Sequence, residues 1–185
     1  MFKNIPNILT ISRIIVIPFI VISFFVFESS KIAHIVAATL FLYASITDFL
    51  DGYLARIYLI QSRLGAFLDP IADKLLVVAS IVMLIHFRMA DILPALAIIC
   101  REILVSGLRE FLADIRISIP VSNLAKIKTA VQMAAIFMLL LGSKGSGIAY
   151  LSMIGRVSLW VAAALTLLTG YAYLKASLRN LSETN

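Results

Sequence analysis

Asp48-Phe49-Leu50-Asp51-Gly52-Tyr53-Leu54-Ala55-Arg56, then eight residues, then Gly65-Ala66-Phe67-Leu68-Asp69-Pro70-Ile71-Ala72-Asp73, is the stretch on which the reading of this chain turns. Four carboxylates fall within 26 residues. On a helix, Asp48 and Asp51 are three apart and Asp69 and Asp73 four apart, so each pair projects from one face of its own helix. A short turn between Arg56 and Gly65 is expected to make the two helices antiparallel neighbours, with all four acids converging on one point.

What surrounds these acids is apolar. The 185 residues are 62% hydrophobic and 14% charged, and the mean hydropathy is +1.03, a balance far from that of a soluble domain. A spanning helix takes roughly 20 mostly apolar residues, and the sequence offers six such runs. They extend from after Pro6 to about Phe27, Lys31 to about Tyr58, Arg63 to about His86, about Asp91 to Asp114, about Ser122 to Leu141, and about Gly147 to Leu174. The expected fold is therefore an all-α integral membrane protein of six transmembrane helices, a single domain over residues 1–185. The first run is long enough to span and lacks a small-residue cleavage site, so it is expected to be retained as a helix.

Six spans put both termini on one side. Lys3, Arg13, Arg56, Arg63, Lys74, Arg109, Arg116, Lys126, Lys128, Lys175 and Arg179 fall at that face and only Lys31, Arg88 and Lys144 at the other, with Arg101 and Arg156 inside spans. The positive-inside rule makes the richer face, with both termini and the aspartates, cytoplasmic. A net charge of +6 then points to lipid headgroups and phosphates rather than nucleic acid. The lone Cys100 is expected as a buried packing residue. The breaks at Glu28-Ser29-Ser30, around Arg88, and at Gly142-Ser143-Lys144-Gly145-Ser146-Gly147 read as simple connectors on the far face.

An ionised aspartate near the middle of a spanning helix costs about 2.5–3.5 kcal/mol on insertion scales, so four demand compensation. Arg56, Arg63 and Lys74 can supply part of it as structural ion pairs, or the acids can line a cation path. Clustered hard oxygens on two rigid helices suit two divalent ions such as Mg²⁺ or Mn²⁺ better, and such a pair can clamp a transferring phosphoryl group. Gly52 and Gly65, each a turn from an aspartate, leave room for a ligand or for a helix neighbour.

Asp-x2-Asp-Gly-x2-Ala-Arg-x8-Gly-x3-Asp-x3-Asp, matched from Asp48 to Asp73 at every fixed position, resembles the signature of the CDP-alcohol phosphotransferase family. The segments Asn4 to Arg13, Arg101 to Glu110, Gly65 to Leu75 and Lys126 to Gln132 are similar to the branch of that family that makes phosphatidylglycerol phosphate. The resemblance implies a six-helix homodimer in the cell inner membrane, with a polar cavity open to the cytoplasmic leaflet. It also implies that Asp48, Asp51, Asp69 and Asp73 hold two metal ions, that Asp73 is the general base, and that Asp51, Gly52, Arg56 and Gly65 contact the CDP-lipid. Thr10 and Arg13 become candidate cavity residues.

Arg101 lies about ten residues, or about 15 Å at 1.5 Å per residue, into its span. Adjacent Glu102 is expected to face elsewhere, leaving the cavity or a bound anion as its compensation. Arg101, Arg109, Lys126 and Lys128 are read as the cradle for an acceptor phosphate, because arginine forks and lysine point charges hold such groups. Arg116 is read as a solvated base, and His34, His86 and Arg156 as interfacial or packing residues without an identifiable partner. The implied reaction is transfer of the phosphatidyl group of CDP-diacylglycerol to sn-glycerol 3-phosphate with release of CMP. Inositol phosphate, serine or phosphatidylglycerol are the alternative acceptors. A cation transporter is the rival class, but it predicts counter-charge spread through the membrane rather than gathered at one face.

Overall fold

In lipid, a backbone must satisfy its own polar groups, so each apolar run closes into a helix. The structure, a computed structural model, describes residues 5–28, 30–58, 63–115, 117 and 122–184. Side chains are described for these except at 5–8, 49–58, 63–67 and 182–184. The helices are α1 (Ile5–Val26), α2 (Lys31–Tyr58), α3 (Arg63–His86), α4 (Ile92–Asp114), α5 (Asn123–Ser146) and α6 (Leu151–Thr184). Three of them, α1, α5 and α6, are long and apolar enough to cross a membrane by length and composition alone. Helices α2, α3 and α4 have comparable length and carry the acids and bases on which the sequence reading rests.

Breakers end the helices where the sequence supplies them. Ser122 caps α5 by accepting from the Ala125 amide at 3.2 Å, and Gly147 ends it at φ 75°, its amide on the Ser143 carbonyl. Within α5, Gly142 sits at φ 55°, ψ 179°, a break that only glycine makes without strain. The expected simple turn at residues 142–147 is thus the kinked end of α5, and α6 starts at Leu151 and continues past the expected Leu174.

The helices close into a ring in the order α1, α2, α5, α6, α4, α3, with α3 also touching α5 across it. Their inward stripes are legible in the chain. On α1 the buried face is Thr10, Arg13, Ile17, Ile20 and Phe24, and the outward face is Ile11, Ile15, Phe19 and Ile22. On α2 it is Ala33, Ala37, Ala38, Phe41 and Ala44, small residues that let backbones approach where hydrophobic burial between helices gives no drive.

Among the described residues the motif helices α2 and α3 are in contact, and α1 packs on both. Two expectations change. Cys100 is exposed, one helical turn from outward Leu96 and Leu104, so it belongs to the outward side of α4. The residues without an identifiable partner do have them. The His34 Nδ1 is 2.7 Å from the Leu140 carbonyl, His86 packs against Phe25 and Phe87, and Arg156 donates to the Arg88 carbonyl at 2.9 Å and faces Asp91 at 3.7 Å. Arg116 lies outside the described residues.

Candidate active site

The end of the bundle that holds Asp48, Asp69 and Asp73 is assembled by α1. Arg13, fully buried, places Nη1 2.7 Å from Asp48 Oδ1, and Thr10, also fully buried, donates its hydroxyl to Asp69 Oδ1. One turn of α1 therefore ties the last described acid of α2 to the first of α3. These two residues, read from the sequence only as cavity candidates, are the brace between the motif helices. Asp73, half-buried, makes no hydrogen bond or ion pair among the described residues, and it lies within electrostatic range of Asp48, Arg13, Glu102 and Lys128. Pro70, between Asp69 and Asp73, has no N–H to donate to the carbonyl four residues earlier.

Across from the acids is a second polar cluster. Lys128, 3% exposed, is ion-paired with Glu102. Arg101 reaches the same carboxylate oxygen at 3.4 Å and the Thr169 hydroxyl of α6 at 3.4 Å. The expectation that Glu102 faces away from Arg101 is corrected here. Neighbours on a helix diverge by about 100° at their Cα atoms, but both side chains are long enough to curl into the groove between α5 and α6. Gly170 makes that groove deep enough, since a Cβ there would lie 2.9 Å from Arg101 Cγ. Arg109, exposed, lies over the Tyr173 ring at 5.8 Å. Lys126 is exposed on α5, about 200° of helical rotation from Lys128, and the structure does not bring it into this cluster. A third link joins α3 to α4, where Lys74 donates to the Ser106 hydroxyl and faces Glu110 at 3.9 Å.

Asp51, Gly52 and Arg56 continue α2, and Gly65 stands in the first turn of α3. Their surroundings lie outside the described residues. Among the described residues no three acids, histidines or cysteines are close enough to hold an ion by themselves, and the expected fourth ligand, Asp51, is not among them. The donor chemistry nevertheless suits a hard cation. Asp48 and Asp69 each keep a carboxylate oxygen outside the contacts above and Asp73 keeps both, with Arg13 as the cation paired to this group.

Sequence reasoning missed Glu102, Ser106 and the α6 residues Thr169 and Tyr173. The first two were legible. Glu102, Ser106 and Glu110 recur every fourth residue, a polar stripe along an otherwise apolar helix. Nothing in the sequence pairs α6 with α4.

With this geometry in view, comparison with known proteins is direct. The family model for CDP-alcohol phosphatidyltransferase matches residues 3–168. A CDP-diacylglycerol--glycerol-3-phosphate 3-phosphatidyltransferase of Rickettsia felis is 54% identical over 174 residues, covering 94% of this chain and 95% of the relative. Proteins of the same name from Pectobacterium atrosepticum, 39% identical, and Cereibacter sphaeroides, 37% identical, each align over 97% of this chain and 98% of their own length. A helical membrane bundle carrying this aspartate motif, matched over most of its length, belongs to the CDP-alcohol phosphatidyltransferase family.

Proposed function

We propose that this chain transfers the phosphatidyl group of CDP-diacylglycerol to sn-glycerol 3-phosphate, giving phosphatidylglycerol phosphate and CMP. The observation that carries this reading is the identity to relatives of that name over nearly the full length of both chains. The two clusters support it. An acidic end suits metal and pyrophosphate, and a cationic groove beside it suits a second, phosphate-bearing substrate.

In this reading all six helices cross the inner membrane, with the aspartate end cytoplasmic, where bases gather by the positive-inside rule. Asp48, Asp51, Asp69 and Asp73 would hold two Mg²⁺ or Mn²⁺ ions, which would neutralise charge on the pyrophosphate and on the departing nucleotide. Gly52, Arg56 and Gly65 contact the cytidine nucleotide. Arg101 and Arg109, with Lys128, hold the acceptor phosphate, and Lys126 contributes at most from the groove's rim. Asp73, facing both clusters, takes the proton of the acceptor's terminal hydroxyl. That oxygen bonds to the phosphorus bearing the diacylglycerol, and the bond from phosphorus to CMP breaks. Positioning and electrostatics do most of the work, as in other phosphoryl transfers. The working unit is a homodimer.

The test is CMP release by the full chain in detergent with a panel of acceptors. Glycerol 3-phosphate should react, and free glycerol, serine and inositol phosphate should react poorly. A charge-assisted contact is worth roughly 1.5–3 kcal/mol, or about ten- to hundred-fold. Arg109→Ala should therefore raise KM for glycerol 3-phosphate by that factor and leave KM for CDP-diacylglycerol unchanged. An equal loss for both substrates would dismiss the phosphate cradle, and a different preferred acceptor would dismiss the reaction.

Thr10 gives a separate test, because it touches an aspartate rather than substrate. Removing a partner that orients a metal ligand typically costs about 10–100-fold in metal affinity or activity. Thr10→Val should raise the Mg²⁺ concentration needed for half-maximal activity by about that factor, and excess Mg²⁺ should restore much of the rate. A rate loss that no Mg²⁺ concentration recovers would mean that Thr10 acts only in packing.

A further inference from the structure

A cavity lies at the opposite end of the bundle, outside everything assigned above. It measures about 250 Å³ and is lined by His34, Arg88, Lys144 and Arg156, with Ser143 and Ser152, on an apolar wall of Phe87, Met89 and Leu139. We propose that it binds a phosphate group, presented by a phospholipid headgroup of the facing leaflet or free in solution.

Charge is the first argument. The described bases of this end are Lys31, Arg88, Lys144 and Arg156, and three of the four line this one cavity. Bases are sparse at this face, so their convergence is not explained by general membrane anchoring. Asp91 is the acid beside them, and it is engaged on both oxygens, by Arg156 at 3.7 Å and by the Trp160 indole N–H at 2.9 Å. Among the described residues, Arg88 and Lys144 have no acidic partner, and Glu28, the other acid at this end, pairs with neither.

The second argument is that the walls are fixed in advance. Arg88 stands at φ 57°, a left-handed conformation of the kind that costs about 1–3 kcal/mol unless its surroundings hold it. Here Arg156 holds it by donating to the Arg88 carbonyl at 2.9 Å. The same guanidinium is thus clamped between Asp91 and that carbonyl and presented to the cavity. Ser143 and Ser152 bond to each other at 3.0 Å, and the Ser143 amide bonds to the Ser152 hydroxyl at 2.8 Å, so they lock the α5–α6 turn as the cavity wall. His34 Nδ1 must donate to the Leu140 carbonyl, which can only accept, leaving Nε2 as the uncommitted ring nitrogen. At about 30 Å³ per water, the volume is ample for a phosphate and the start of its ester. Arginine forks, one of them held in place, and a lysine point charge are the donors such a group needs.

The experiment uses the full chain in detergent and reads the shift in its thermal midpoint on titration. The probes are short-chain phosphatidylglycerol, short-chain phosphatidylcholine and inorganic phosphate. The variants are Arg88→Gln/Lys144→Gln, both side chains being exposed, and Lys31→Gln as a base of the same end outside the cavity. Binding at the aspartate end is common to all of them and cancels in the comparison. For at least one probe the double variant should bind about ten-fold or more weakly than the unaltered chain, and Lys31→Gln should bind as the unaltered chain does. A loss confined to the lipids identifies a headgroup, and a loss seen with inorganic phosphate identifies the free ion. Identical titrations for the double variant and the unaltered chain overturn the proposal, as does an equal loss in Lys31→Gln, which would mean diffuse surface charge.

Discussion

Asp69→Asn is expected to abolish turnover by more than about 100-fold and to leave the folded bundle at least as stable as before. Even partners that only orient a metal ligand cost about 10–100-fold when removed, and this substitution removes an anionic ligand outright. Its structural effect should be small. Asn has nearly the shape of Asp and keeps an oxygen to accept from Thr10, so no cavity opens and the brace from α1 survives. The change also relieves repulsion, because Asp69 and Asp48 lie within electrostatic range of one another. Functional acids of this kind are commonly held at a cost in stability. The measurements are CMP release and the thermal midpoint in the same detergent, with chelator and with Mg²⁺ added back. Activity within a few-fold of the unaltered chain would end the metal assignment. A large fall in the midpoint would make Asp69 a structural residue.

Lys128→Met is expected to have the second largest effect, on acceptor use and on stability together. Lys128 is buried and paired with Glu102, and removing one member of a buried pair typically costs about 3–5 kcal/mol, because the other charge is left uncompensated. Arg101 shares Glu102, so the loss should fall at the lower end of that range. For acceptor binding the consequence is sharper. With Lys128 gone, Glu102 and Asp73 face the incoming phosphate with one less cation between them, and kcat/KM for glycerol 3-phosphate should fall about 100-fold or more, the upper end for one charged contact. The double variant Lys128→Met/Glu102→Gln separates the two roles. Removing the stranded acid should restore most of the midpoint, while acceptor use should stay impaired. Full recovery of both in the double variant would mean that Lys128 serves only to neutralise Glu102.

The sequence by itself determined the solvent, the helices and the chemistry. Runs of apolar residues longer than a bilayer leave the backbone no choice but helix, and four aspartates at helical spacing within 26 residues specify an acidic site whatever the helices pack against. These are local properties, set by composition and by the 3.6-residue period. Which helices meet was not local. Only the tertiary structure decided that α1 packs on both halves of the motif, and that Thr10 and Arg13 join their described acids. Likewise, helical geometry alone turns Glu102 away from Arg101. The depth of the groove at Gly170 and the approach of α5 bring Arg101, Glu102 and Lys128 together. Helix pairing in lipid depends on how closely backbones can approach, which is a property of two faces at once. A single chain read in order carries each face but not the match between them, and for that reason the cavity among Arg88, Lys144 and Arg156, three bases drawn from three separate segments, was invisible until the bundle closed.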